Sequence, residues 1–150
     1  MTYKKEIPLE VYIRSIFHYI RYNAEEATAS YDITCQQGRL LEIIVECVNE
    51  NIEISRKYLQ NRLLISGPSV TSLLNNLESK GFIERSVNTE DGRAFSIKVT
   101  EKGKSVISDV KLLFQQQEKK LVDGMSQTEI NMFRMLLEKS CLNIGVTFDK

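Results

Sequence analysis

Short hydrogen-bonding side chains cluster on one side of the helix that is predicted to begin after Ser66. This segment is apolar along a single stripe with helical spacing, which comprises Val70, Leu73, Leu74 and Leu77. The other side is small, polar and nearly uncharged, and it comprises Pro68, Ser69, Thr71, Ser72, Asn75, Asn76 and Ser79. A helix face that is merely solvated usually carries Lys and Glu. Short side chains that donate and accept hydrogen bonds suit close approach to base edges in the major groove of DNA.

Neighbouring residues have the chemistry to bind the phosphate backbone. Ser66 is predicted to cap the helix, where free backbone amides attract anions. Arg56 and Lys57 begin the preceding predicted helix. Because Asn forms a bidentate pair with adenine, half-sites that contain A·T pairs are expected. The alternative is that all of these are ordinary surface residues. The predicted DNA contacts are Arg56, Lys57, Ser66, Pro68, Ser69, Thr71, Ser72, Asn75 and Asn76.

Hydrophobic periodicity and capping signals predict the elements that position these residues. Thr34 and Ser126 open capping boxes, and Ser55 and Thr100 are predicted N-caps. The predicted order is helices over about 8–30, 35–49, 56–64 and from Ser66 to Gly81, strands over 82–87 and 94–99, and helices from Thr100 to about 122 and from Ser126 to about 143. This order predicts a mainly α fold with a small β-hairpin wing, a winged helix-turn-helix with six helices.

The domain organisation follows from which helices the central module can cover. Residues 34–100 are predicted to form the winged helix-turn-helix DNA-binding domain. The first, fifth and sixth helices have apolar stripes that a module of this size leaves uncovered. A second subunit related by two-fold symmetry would cover them. Residues 1–33 and 101–150 are therefore predicted to be dimerisation helices.

Composition excludes several other classes of protein. The 150 residues have a formal net charge of zero, but residues 54–104 contain nine Lys or Arg and five Asp or Glu. This local surplus is what phosphate neutralisation requires. The sequence has no apolar run of roughly 20 residues and no secretory signal, and its three Cys fit a reducing cytosol, so a cytoplasmic location is expected. The residues also show no catalytic nucleophile arrangement, phosphate-binding loop or metal cluster, so neither an enzyme nor a cofactor is expected.

The segments SGPSVTSLLNNLESKGFIER and TEDGRAFSIKVTEKGK together resemble the MarR family of bacterial transcriptional regulators. The resemblance implies a homodimer on double-stranded DNA with a palindromic or near-palindromic operator. It also implies a repressor that a small aromatic ligand or cysteine oxidation releases from DNA. It places Arg93 in the minor groove with Asp91 orienting it; the alternative is an ion pair that only stiffens the hairpin. The chain departs from the family at Leu64, where Gly is frequent, at Gln60, where Ala is common, and at Gly67–Pro68.

The remaining candidate residues would allow the protein to respond to a signal, either a small ligand or oxidation. Tyr12, Phe17, Tyr19 and Tyr22 are predicted to line an aromatic effector pocket, although aromatic residues at helical spacing also suit a core or a dimer interface. Cys35 opens the second helix, where the helix dipole lowers a thiol pKa, so it is the candidate for redox sensing; a structural cysteine is the alternative.

Two further features bear on metal binding and on a second possible function. The single histidine, His18, is a poor metal site. The modest charge of the central region also leaves open a second function, a winged-helix module that binds another protein without sequence-specific DNA binding.

Overall fold

The computed structural model describes residues 6–87 and 94–147, and these contain six helices and three strands. The predicted fold class, a mainly α winged helix-turn-helix, is confirmed. The elements in chain order are α1 (Leu9–Ala29), α2 (Cys35–Glu50), β1 (Ile54–Ser55), α3 (Arg56–Leu63), α4 (Gly67–Ser79), β2 (Ile83–Val87), β3 (Ala94–Val99), α5 (Glu101–Leu121) and α6 (Gln127–Asn143).

Local capping fixes where the helices begin. Thr34 Oγ1 accepts a hydrogen bond from the backbone N–H of Gln37 at 3.2 Å, and Gln37 Oε1 accepts one from the Thr34 N–H at 3.1 Å. Ser126 and Glu129 form the same reciprocal pair at the start of α6. Both predicted capping boxes are confirmed, since each needs only residues three apart in sequence.

The sheet contains one strand that the sequence did not predict. Its order is β1-β3-β2 and both pairings are antiparallel, with Ile54 opposite Phe95 and Ile83 opposite Val99. The hairpin of β2 and β3 was predicted, whereas β1 was not. A strand of two residues is too short to show an alternating pattern, and only its pairing with β3 defines it.

The chain divides into two compact units between Gln117 and Glu118. In the first unit the core joins α2, α4 and the start of β2. Its largest fully buried side chains include Leu40, Leu41, Ile44, Leu74, Leu77 and Phe82. In α6, within the second unit, no residue is fully buried in the part of the chain that the structure describes.

The apolar face of α1 is only partly buried. Ala24 and Thr28 are the buried residues of this helix, whereas Leu9, Ile13 and Phe17 are exposed. The sequence analysis expected the central module to leave the apolar stripe of this helix uncovered, and these exposed residues lie on that stripe.

The first turn of α5 lies against the sheet because Gly103 has no side chain. A Cβ atom at this position would lie 2.3 Å from the backbone oxygen of Phe82 and 2.9 Å from Cγ1 of Val99. The same Phe82 oxygen accepts a hydrogen bond from the Thr100 N–H at 3.1 Å. The start of α5 therefore cannot move away from β2 without losing this bond.

We expect Gly103→Ala to lower the free energy of unfolding by about 1–3 kcal/mol, the usual cost of overpacking, despite the better helix propensity of Ala. Urea denaturation of both proteins measures the change. Ser105→Ala, at an exposed position of the same helix, is the control and should leave stability unchanged or slightly higher. An unchanged midpoint for Gly103→Ala would contradict the close contact.

Candidate nucleic-acid interface

The two faces of α4 differ as its sequence predicts. Val70, Leu73, Leu74 and Leu77 are buried, with at most 8% of their surface exposed. The polar face points away from this core. Its exposed members are Ser66, Pro68, Ser69, Ser72, Asn75 and Asn76, and Thr71 is half-buried. The helix therefore offers short polar side chains to a ligand while its leucines hold it in place.

The beginning of α4 packs closely under α3. A Cβ atom at Gly67 would lie 3.2 Å from Nε2 of Gln60 and 3.6 Å from Cδ of Arg56. Gln60 and Gly67 both depart from the usual family pattern, and the contact connects the two departures. The longer Gln side chain occupies space that the glycine leaves free.

The turn between α3 and α4 depends on Leu64. This residue adopts the left-handed conformation with φ of 55° and ends α3. Glycine adopts this conformation at lower cost, which accounts for its frequency at this turn in the family. Leu64 adopts this conformation, and the chain then continues into the start of α4, which packs against α3 at Gly67.

Hydroxyl groups at the start of α4 satisfy one another and the helix backbone. Ser66 Oγ lies 2.8 Å from Ser69 Oγ and accepts a hydrogen bond from the Ser69 N–H at 3.4 Å. Thr71 Oγ1 donates to the Gly67 carbonyl at 3.2 Å. Ser66 therefore caps α4, as the sequence predicts. The hydroxyl of Thr71 is directed back into its own helix.

Two cations occupy a position that is unfavourable for the helix itself. Arg56 and Lys57 are exposed in the first turn of α3, where the helix dipole disfavours positive charge. Within residues 6–87 and 94–147, neither forms an ion pair, although Arg62 in the same helix pairs with Glu46 at 2.8 Å. Unpaired positive charge beside the start of α4 is suited to binding an anion such as phosphate.

Asn75 is held from the side by the strand that follows α4. Arg85, in β2, donates from Nη2 to Asn75 Oδ1 at 2.6 Å. The same guanidinium donates to Glu78 Oε2 from Nε at 3.0 Å and from Nη2 at 2.6 Å, and the Arg85 N–H donates to Glu78 Oε1 at 3.1 Å. The side-chain hydrogen bond from Arg85 is the main cause that lowers the pKa of Glu78, so this carboxylate stays charged at neutral pH.

The end of α4 is attached to two distant parts of the first unit. Lys80 Nζ donates to the backbone oxygen of Asp32 at 2.7 Å, in the connection between α1 and α2. Lys102 Nζ, in α5, donates to the backbone oxygen of Lys80 at 2.6 Å. The contacts of Lys80 and Lys102 were not predicted, because they join residues 48 and 22 positions apart. In the sequence, these contacts were indicated only by a charged residue at the end of α4, Lys80, and another at the start of α5, Lys102. The Arg85 network joins residues only 7 and 10 positions apart, but it depends on how β2 lies against α4.

The other predicted site residues fall in different places. Arg93 and Asp91 lie outside the described residues, so their roles stay predictions from sequence. A cavity of about 410 Å³ lies between α1 and the start of α2. It is lined by Phe17, Ile20, Arg21, Glu25, Thr34, Cys35 and Gln36. Phe17 is therefore in this cavity, whereas Tyr12, Tyr19 and Tyr22 are not part of its lining.

Cys35 does not have the lowered pKa that its helix position suggested. It is half-buried, and burial raises the pKa of the thiol, although the nearby Arg39 acts in the opposite direction. Loss of hydration on burial is the largest cause of this shift. A protonated thiol is a weak nucleophile. The redox role of Cys35 stays a prediction from sequence, with a structural cysteine as its alternative.

Metal sites and membrane-spanning helices are two other classes of feature. Among residues 6–87 and 94–147, no group of three or more His, Cys, Asp or Glu side chains is arranged to hold a metal ion. In the same ranges, no helix combines the length and apolarity that crossing a bilayer requires.

The family described as transcriptional regulator SarA/Rot matches residues 24–110, which is more than half of the chain. The chain belongs to this family. The matched range contains α2, α3, α4 and the sheet, the elements that build and support the polar face.

Individual relatives agree with this assignment. The HTH-type transcriptional regulator BilQ of Clostridioides difficile (strain CD3) is 30% identical over 82 residues, which cover 55% of this chain and 55% of BilQ. The chain spans about half the length of the curated relatives it matches. The Staphylococcus aureus MepR–DNA complex is similar over 94% of this chain and 99% of MepR, with 26% identity and a TM-score of 0.84. Wild-type MarR from E. coli, in its apo form, is 25% identical over 91% of this chain and 98% of its own, with a TM-score of 0.67. The predicted resemblance to MarR-type regulators is confirmed.

Proposed function

We propose that this regulator acts in the cytoplasm as a homodimer that binds a palindromic or near-palindromic DNA operator and represses transcription. The exposed polar face of α4, backed by buried leucines, is the observation that carries the proposal. In a dimer, each α4 enters the major groove of one half-site, and two half-sites lie about 34 Å apart. The similarity to MepR, whose complex with DNA has been solved, supports this arrangement.

Contacts to phosphate and contacts to bases fall on different parts of the surface. Arg56, Lys57 and the backbone at Ser66 contact phosphates, because the cations are unpaired and the helix N-terminus attracts anions. Ser72, Asn75 and Asn76 contact base edges, since they lie further along the exposed face. Pro68, Ser69 and Thr71 lie between these two groups, at the entry of the helix into the groove. In the wing, Arg93 enters the minor groove and Asp91 orients it, as the sequence predicts.

We expect Arg56→Ala and Lys57→Ala to weaken binding to operator and to unrelated DNA alike, and each to reduce the salt dependence of log K by about one unit. Asn76→Ala should cost about 1–3 kcal/mol on the operator and little on unrelated DNA. Fluorescence anisotropy at several salt concentrations, with DNA from upstream of the protein's own gene, measures both effects.

Lys111→Ala is the matched control, because it removes one exposed positive charge from α5, outside the helix-turn-helix. It should change neither the affinity nor the salt dependence. Equal losses on operator and unrelated DNA for Asn76→Ala would contradict base contact by this residue. Failure to bind any DNA fragment at low salt would instead favour the alternative, a winged-helix module that binds another protein.

The exposed side of α1 supports dimerisation. Leu9 is 79% exposed and Ile13 is 59% exposed, and Phe17 and Tyr22 are also exposed on this helix. In the second unit, α6 exposes a further apolar set that comprises Met132, Met135, Leu136, Leu137 and Leu142. In each unit, exposed apolar side chains clustered on one helix are costly in water and usually mark an interaction surface. We assign it to a second copy of the chain, which agrees with the predicted roles of residues 1–33 and 101–150.

Leu9→Glu/Ile13→Glu should convert a dimer into a monomer, because two carboxylates would have to lose their hydration in the interface. Sedimentation velocity measures the change in mass, and the operator affinity should fall in parallel. Ser15→Glu, on the same helix and exposed, adds a charge without removing apolar surface. A wild-type protein that sediments as a monomer at operator-binding concentrations would contradict the proposed dimer.

The cavity between α1 and α2 is the proposed effector site. Phe17 and Ile20 provide an apolar wall, and Arg21 Nε donates to Glu25 Oε1 at 2.9 Å, so the charges in the lining neutralise each other. A small aromatic ligand without net charge fits this lining better than an anion, since an anion would have to displace Glu25 from Arg21. The other aromatic candidates, Tyr12, Tyr19 and Tyr22, have no demonstrated part in this cavity.

A phenolic ligand that occupies the cavity should raise the melting temperature, weaken operator binding and slow alkylation of Cys35 by iodoacetamide. Because burial raises the pKa of this thiol, alkylation should be slow at neutral pH and accelerate as the pH rises. Phe17→Ala should abolish the protection of Cys35, whereas Tyr22→Ala should retain it.

Mass spectrometry of the Cys35 peptide measures the rate of alkylation separately from that of the other cysteines. A ligand that stabilises the protein equally in Phe17→Ala would contradict this location of the effector site. Rapid alkylation of Cys35 at neutral pH, or a loss of DNA binding on peroxide treatment that Cys35→Ser prevents, would restore this residue as a redox sensor.

A further inference from the structure

The amide of Asn75 has a fixed orientation, unlike that of its neighbour Asn76. Arg85 Nη2 lies 2.6 Å from the Asn75 oxygen. A guanidinium contains only donors, so the atom of Asn75 that faces it must be Oδ1 and not Nδ2. Asn76 is exposed, and its side chain makes no hydrogen bond to the described part of the chain.

Arg85 is itself held rigidly. Its side chain is 19% exposed, and Glu78 accepts three hydrogen bonds from it, two from the guanidinium and one from the backbone N–H. Glu78 is one turn from Asn75 on α4. The guanidinium is thus attached to the helix at one point and to the Asn75 oxygen at another. Rotation of the Asn75 amide would leave two donor groups facing each other.

We propose that Arg85 is a positioning residue for DNA recognition, an inference that rests on the proposed function. The contact turns Oδ1 toward Arg85 and Nδ2 away from it, so the proposed base contact of Asn75 runs through the Nδ2 donor and not through the second lone pair of Oδ1. In the major groove, guanine, adenine and thymine each present an acceptor, whereas cytosine presents only its amino donor. The position read by Asn75 therefore rejects cytosine and tolerates the other three bases. Asn76 is then the residue that forms the bidentate pair with adenine.

Selection of bound sequences from a randomised DNA library tests this inference. The position read by Asn75 is the one where Asn75→Ala changes base preference. Wild type should disfavour cytosine there by about five- to tenfold, the effect expected of one hydrogen bond. Asn75→Asp keeps an acceptor for Arg85 but replaces the donor, and it should reverse the preference toward cytosine, whose amino group donates to a carboxylate.

Variants of Arg85 test whether it acts through Asn75. Arg85→Met removes every donor and should relax discrimination against cytosine to within about twofold, and Arg85→Lys should restore part of it. In the Asn75→Ala background, Arg85→Met should change base preference no further. Arg62→Met is the matched control: it removes an ion pair of similar length, between α2 and α3, and should leave the preference unchanged. If Arg85→Met does not fold, the reversed base preference expected of Asn75→Asp still tests the inference.

Three results would overturn the inference. One is a wild-type preference for adenine over guanine of more than tenfold at this position, since that requires the bidentate pair. Another is equal tolerance of cytosine by wild type and Arg85→Met. The last is the absence of any position that responds to Asn75→Ala. If wild-type protein enriches no sequence at all, the proposed function fails as well; a defined operator with no effect of Arg85 would refute this inference alone.

Discussion

Burial of the apolar stripe of α4 fixes the rotation of this helix about its own axis. Val70, Leu73, Leu74 and Leu77 pack in the core of the first unit, and burial of side chains of this size contributes about 1.5–3 kcal/mol each. Rotation by a quarter turn would expose leucines to water and bury polar groups without partners. The polar face must therefore point outward. The surface assigned to DNA is in this sense a consequence of the core.

Polar contacts at both ends and at one side then set the position of α4 more finely. Gln60 and Arg56 pack over Gly67 at its start, Lys102 binds the backbone oxygen of Lys80 at its end, and Arg85 holds Asn75 from the wing strand. None of these contacts adds much apolar burial. In the proposed function their value is geometric, because hydrogen bonds to bases would fail over displacements of less than an ångström.

Much of the fold could be predicted because its signals are local. Capping boxes need residues three apart, and an amphipathic stripe needs residues within a few turns, so Thr34, Ser126 and the leucines of α4 were informative alone. The strand β1 was missed because two residues carry no period. The apolar face of α1 was recognised, and Leu9 and Ile13 on it are exposed, but periodicity did not show that Ala24 and Thr28 near the end of this helix are buried.

The sequence by itself determined which helix could face DNA, where the helices begin, and that the family is one of transcriptional regulators. Each of these depends on residue types at short, fixed spacing. Only the tertiary structure decided that Asn75 is held by Arg85, that Phe17 and Cys35 line one cavity, and that the pKa of Cys35 is raised. These properties arise where segments distant along the chain meet. At such places packing sets the hydration, charge and hydrogen-bond partners of a side chain, so the spacing of residues within one segment does not predict them.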